Sequence, residues 1–139
     1  MHLAFAIGRH LLEIRILRQR ITLPAWLITG NGTRVHDLDS YLLFASALSP
    51  SMAEEMLHSR WESTATVHVF NDDGWFTDVL VPQMLQAHAL SGFHYQLRDL
   101  KSFPAHEVTK ICFVDDHDAL CPLKSQLKEA LSDRAHICF

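Results

Sequence analysis

The hydrophobic positions of this chain fall into two regimes. The first has the spacing of a parallel-sheet crossover, the second that of hairpins alternating with helices. Leu3 to Ala6 is a short apolar run closed by Gly8, the form of a buried parallel strand feeding a turn. Between His10 and Arg20, Leu12 and Ile16, and Ile14, Leu17 and Ile21, recur at spacings of three and four. That predicts one helix with an apolar stripe, Glu13, Arg15, Arg18, Gln19 and Arg20 turning mostly outward. Pro24 ends the connection, and Trp26-Leu27-Ile28 reads as a buried strand. Gly30-Asn31-Gly32 is a turn, and a second short strand runs through Val35. Strand–helix–strand is one crossover unit of a parallel sheet, which cannot cover both its faces alone.

After Asp37 the pattern changes. Tyr41 to Phe44 is an apolar strand or hairpin arm, and Ser51-Met52-Ala53-Glu54 is a capping-box signature opening a helix with Met52, Met56 and Leu57 on one face. Val67–Phe70 and Trp75–Val79 flank Asn71-Asp72-Asp73-Gly74, a hairpin signal. Pro82 suits the first turn of a helix reaching about Leu90. Tyr95–Leu97 reads as a weak strand and Val108–Val114 as a strong one. Asp118 is the expected cap of a helix striped by Leu120, Leu123, Leu127 and Leu131, and a last strand is expected to start at His136 and run into Phe139. The expected fold class is therefore α/β: a crossover unit over residues 1–38, then an α+β layer over residues 39–139 with helices on one face of a mainly antiparallel sheet.

Composition narrows the function classes. At 139 residues and 48% hydrophobic content, the chain is long enough for one ordinary globular domain. A net charge of −4 without a basic run suggests neither nucleic acid nor an anionic membrane surface as a partner. Apolar runs such as Leu42–Phe44 are too short to span a bilayer, and the first residues lack the order of a signal peptide. Three cysteines (Cys112, Cys121, Cys138) have no metal-like spacing. Cys112 and Cys138 fall in apolar strand contexts, so reduced thiols and a cytoplasmic location are the expectation. Ten histidines are scattered, with no HxH or HxxxH pair to suggest a metal site.

The chemistry is carried by Phe5-Ala6-Ile7-Gly8-Arg9-His10 and the stretch WLITGNGTRVHD from Trp26 to Asp37. Together they resemble the region around the second motif of Cof-type phosphatases, members of the haloacid-dehalogenase-like hydrolases. In that family a strand ends in a Thr-Gly-Arg or Ser-Gly-Arg turn, a helix follows, and a second strand ends in an Asn-Gly turn where the chain leaves the core for a mobile cap. The resemblance implies a partial Rossmann-type core followed by most of a substrate-selecting cap. It implies a parent reaction in which an Asp of a DxDGT loop attacks a small phosphate ester with Mg²⁺ present, and a cap that closes to exclude water. No DxDGT run, Lys motif or acidic metal motif is recognised here, so a truncated phosphatase is expected, with no catalytic residue and no metal of its own. Ile7 stands where the family has Thr or Ser, removing one hydroxyl donor to the phosphoryl group. The substrate-binding candidates implied are Gly8, Arg9, Asn31 and Gly32 at the site mouth and Asp73 and Trp75 at the cap hairpin.

Two stretches imitate missing motifs. Asn71-Asp72-Asp73-Gly74-Trp75 looks like DxDGT, but an amide replaces the nucleophile and Trp75 the Thr; a hairpin turn is the simpler reading. Val114-Asp115-Asp116-His117-Asp118 suggests a Mg²⁺ or phosphoacceptor site, yet neither the Lys nor the glycine-rich turn expected nearby is present, and acidic residues at a helix start are favoured by its dipole. The alternative function is a non-catalytic domain that binds a metabolite or forms homo-oligomers through exposed sheet edges. A receiver-like role for Asp116 is a third reading.

Overall fold

Among the described residues, two four-stranded sheets organise the chain. The computed structural model describes residues 3–20 and 24–138, without the side chains of residues 15–17 and 20, so the expected stripe positions Ile16, Leu17 and Ile21 and the final Phe139 lie outside the described residues. The first sheet has the order β1-β2-β3-β4, from β1 (Leu3–Ala6), β2 (Ala25–Thr29), β3 (Arg34–His36) and β4 (Leu42–Ala45). β1 and β2 pair in parallel from Leu3↔Ala25 to Ala6↔Ile28, with α1 (Leu11–Arg20) as the crossover. β3 and β4 then return antiparallel. The turn between β2 and β3 requires left-handed backbone at three successive residues, Gly30, Asn31 and Gly32, which is why Gly and Asn occupy it.

The second sheet has the order β7-β6-β5-β8, from β5 (Thr66–Asn71), β6 (Gly74–Thr77), β7 (Tyr95–Leu97) and β8 (Lys110–Val114). The β5–β6 hairpin pairs Asn71 with Gly74, leaving Asp72-Asp73 as its tip. Alternation along β6 sends Phe76 to one face and Trp75 to the other. On the Phe76 face, Val69, Leu100, Phe103 and Val108 meet Ala53 of α2 (Pro50–His58). Met52 and Met56 of the same helix pack with Leu123, Leu127 and Leu131 of α4 (His117–Leu131). On the Trp75 face, Phe93 and Tyr95 are joined by Met84 and Leu85 of α3 (Pro82–Ala87) and by Leu12 of α1. The mixed α/β architecture expected from the sequence is present.

Several local expectations are corrected. β1, expected to be buried, is largely exposed, with only Leu3 half-buried. β2 is half-buried, with Trp26 exposed and Ala25, Leu27 and Thr29 inside, because only one of its faces is covered. Glu13 does not turn outward but is buried, for reasons given below. Helix α2 starts two residues before the proposed box: Ser49 is its N-cap, accepting from the Met52 amide at 3.3 Å, and Pro50 occupies the first turn. Asp116, not Asp118, precedes α4, and Asp118 lies in its first turn. Residues 136–138 form no strand, since no neighbour supplies ladder partners, and Cys138 is consequently exposed. Among the described residues no helix is long and apolar enough to cross a membrane.

Candidate functional site

The ends of β1 and β2 are stitched together at the turn singled out by sequence. Ile7 donates its amide to the Ile28 carbonyl at 2.8 Å, and the Gly30 amide donates to the Arg9 carbonyl at 2.9 Å. A Cβ on Gly8 would overlap Asn31 Oδ1, so the bare glycine leaves room for the Asn31 side chain to lie against the first turn. Gly8, Arg9 and Asn31 are therefore brought together on one exposed rim, with half-buried Gly32 next in the turn. Ile7 is half-buried at the position where a hydroxyl was expected.

The hairpin tip of the second sheet reaches this region. His10 Nε2 lies 2.7 Å from the Asn71 carbonyl, while its Nδ1 accepts from the Leu12 amide at 3.1 Å, so the proton sits on Nε2. The ring stacks on Phe93, centroids 5.1 Å apart and 14° from parallel. Burial keeps the His10 imidazole below its usual basicity, against the raising effect of its bond to Asn71 and of the nearby Asp72. Arg34 of β3 grips Asp72 with Nε at 2.8 Å and Nη2 at 3.0 Å, and its Nη1 donates to the carbonyls of Thr33 and Ser46. Asp73 is exposed at the tip, its amide bonded to Asn71 Oδ1 at 2.9 Å. A cavity of about 110 Å³ lies behind this contact, lined by His10, Thr29, Arg34, His36, Leu42 and Asp72 among others. The Nδ1 of His36 is buried with no partner among the described residues, and burial together with Arg18 disfavours its protonation.

Trp75 does not join the rim. It is fully buried, and its Nε1–H donates to His68 Nδ1 at 2.9 Å. His68 Nε2 in turn lies 3.1 Å from Thr66 Oγ1, which donates to the Val114 carbonyl. Strand alternation places Trp75 on the inner face with Tyr95 and Phe93, so it supports the hairpin and is not exposed for a ligand. The residues that bind the two sheets, His10, Glu13, Arg34 and Asp72, escaped the sequence reading. The only local signal was that Arg34 and His36 alternate with Val35, which puts them on the side of buried Thr29 and Leu27.

The paired acidic stretch after β8 is accounted for locally. Asp115 accepts from Thr64 Oγ1 at 2.5 Å and from the Asp116 amide at 2.8 Å, bonds that hold its carboxyl below the usual range. Among the described residues no three His, Cys, Asp or Glu side chains are arranged to hold a metal ion. These described residues therefore do not by themselves form a Mg²⁺ site. What the rim offers is a half-exposed guanidinium at Arg9 beside backbone of two glycine turns, a combination suited to an anionic group.

Comparison with known proteins places the chain in a family. A haloacid dehalogenase-like hydrolase family matches residues 1–139. Two HMP-PP phosphatases are similar to the chain: one from Cronobacter sakazakii, 61% identical over 99% of this chain and 50% of that protein, and one from Citrobacter koseri, 53% identical over the same shares. The chain thus spans about half the length of the curated relatives it matches. A haloacid dehalogenase-like hydrolase from Bacteroides thetaiotaomicron superposes with a TM-score of 0.77 at 16% identity, covering 99% of this chain and 54% of the other. A Thermotoga maritima protein gives 0.75 at 18%, covering 95% and 51%. On the family match over its whole length, the chain belongs to the haloacid dehalogenase-like hydrolases.

Proposed function

We propose that these 139 residues supply the substrate-recognising part of a Cof-type phosphatase acting on a small phosphorylated metabolite, of the kind named by its HMP-PP phosphatase relatives. Residues 1–38 are the core part and residues 39–139 the cap, although β4, at the start of the second part, still pairs with β3 in the first sheet. The observation that carries this reading is the meeting of Gly8, Arg9 and Asn31 beside the β5–β6 hairpin tip. Arg9 and the turn amides take the phosphoryl oxygens, Asn31 and Gly32 line the mouth, and Asp73 selects the remainder of the substrate. The nucleophile loop and the groups that hold Mg²⁺ in the family are not among these residues, so the chain alone is inactive. Three free thiols agree with a reducing cytoplasm.

The test is Mg²⁺-dependent hydrolysis of an aryl phosphate and of HMP-PP. It compares this chain alone with the chain joined to the nucleophile and metal motifs of a relative. Turnover only by the joined protein supports the reading, and metal-dependent turnover by the chain alone overturns it. One observation favours a second reading, a self-associating binding domain. Tyr41, Leu42, Leu43 and Phe44 are all about half or more exposed along the outer strand β4, an apolar edge suited to pairing with a second copy. A concentration-dependent dimer that binds the metabolite and gains no activity when joined to the motifs would favour it.

A further inference from the structure

Glu13 is a carboxylate in an unusual place: the first turn of α1, with only 5% of its side chain exposed. One oxygen, Oε1, receives Arg9 from the turn before and His88 Nδ1 at 2.9 Å, with Ser91 Oγ a weaker neighbour at 3.5 Å. The last two come from the segment after α3, in the second sheet's layer. A carboxylate is buried at acceptable cost only when paired and hydrogen-bonded. Here the pairing spans the two layers.

The two sides of Glu13 differ. His88 is fixed, its ring 5.0 Å from Trp75 and 6.3 Å from Phe93 in the aromatic cluster. Arg9 is not: its side chain is 55% exposed, and only Nη1 is engaged by Glu13. A guanidinium carries five N–H donors in a rigid fork, so holding one nitrogen sets the direction of the others. The single Ser91 hydroxyl hydrogen goes chiefly to the His88 carbonyl at 2.9 Å, which holds Ser91 beside His88 with its Oγ 3.5 Å from Glu13.

We infer that Glu13 is a positioning residue for Arg9, clamped by His88 and Ser91, so that the aim of Arg9 toward an anion is set by the loop after α3. This rests on the reading of Arg9 as a phosphoryl contact only for its consequence, not for the clamp itself. The consequence is that His88, which is not bonded to Arg9, governs anion binding there through Glu13. A residue that merely stabilised the fold would act on Arg9 without requiring Glu13.

The experiment uses the full 139-residue chain, ¹⁵N-labelled. It follows the Arg9 guanidinium signals and a titration with orthophosphate read at the Gly8 and Arg9 amides. In the unaltered chain the guanidinium signals are expected to be resolved, as for a held side chain. In Glu13→Gln and in His88→Ala they should collapse toward a freely rotating arginine, with orthophosphate affinity reduced by about fivefold, the loss of one charge-assisted bond's orientation. In Glu13→Gln, adding His88→Ala should change neither further. Near-UV circular dichroism of the aromatic residues checks the fold, and if Glu13→Gln does not fold, His88→Ala and Ser91→Ala carry the test. Resolved Arg9 signals in both Glu13→Gln and His88→Ala, or additive losses in the double variant, overturn the inference. Signals that collapse as expected while orthophosphate moves neither amide leave the clamp standing and overturn the phosphoryl-binding reading of Arg9.

Discussion

Arg34 of β3 and Asp72 at the β5–β6 tip form a two-pronged ion pair, at 2.8 and 3.0 Å, between residues of different sheets. The guanidinium is nearly buried while the carboxylate is largely in solvent, 10% and 62% exposed. Losing the carboxylate therefore leaves a buried charge partly unpaired, although solvent reaches its open side.

For that reason Asp72→Asn is expected to destabilise the chain by about 1–2 kcal/mol, less than a fully buried pair would cost. Arg34→Lys should cost at least as much, because a single ammonium cannot reach Asp72, Thr33 and Ser46 together. Urea unfolding of both variants measures this. A midpoint unchanged in Asp72→Asn would mean that the tip is not held through this pair.

Trp75 gives a second prediction. Truncation to Ala should cost about 3–5 kcal/mol for an aromatic residue fully enclosed in the core. Trp75→Phe keeps most of the volume but strands His68 Nδ1, an added cost of about 1–3 kcal/mol. If Trp75 instead served chiefly as a ligand contact, Trp75→Ala would leave stability within about 0.5 kcal/mol.

Stability should fall as the solution becomes acidic. His10, His36 and His68 are all held below ordinary imidazole basicity, first by burial. For a base with a lowered folded pKa, the unfolded chain takes up protons below about 6.5 while the folded chain resists them. Their contribution is thus full above that pH and is lost as pH falls through the window below it. The urea midpoint is expected to drop between about pH 7.5 and about pH 5.5, which takes in the upper part of that window. His68→Gln should reduce the drop, and a midpoint that rises on acidification would contradict this assignment.

The hydroxyl absent at position 7 has a measurable consequence. In the chain joined to the missing motifs of a relative, Ile7→Thr should raise kcat by about 10²-fold, the usual worth of one donor to a developing negative charge. Equal kcat values for the joined protein with and without this substitution would show that the position does not touch the phosphoryl group.

At the Gly8 turn, Gly8→Ala should turn the Asn31 side chain aside while the Ile7–Ile28 and Gly30–Arg9 backbone bonds keep the two turns joined. The Asn31 side-chain amide signals should shift and the Gly30 amide should not, and unmoved Asn31 signals would rule this out.

Much of this protein was legible from its sequence because the signals are local. The apolar run at Leu3–Ala6, the three-and-four spacing in α1, the hairpin punctuation at Asn71–Gly74 and the leucine stripe of α4 each depend on backbone geometry within one element. The Gly30-Asn31-Gly32 turn is dictated the same way, since few other residues accept left-handed backbone. The resemblance to the family was carried by that same ordered set of turns.

Tertiary structure alone decided which polar groups went inside. Glu13 has the sequence context of a solvated helix residue and is buried because His88 and Ser91 arrive from 75 and 78 residues away. Arg34 is inside because Asp72 and the Ser46 carbonyl meet it, and Trp75 is a core residue, not a rim residue, because sheet pairing chose its face. Burial of a charge depends on partners brought from elsewhere in the chain, and no local spacing records them.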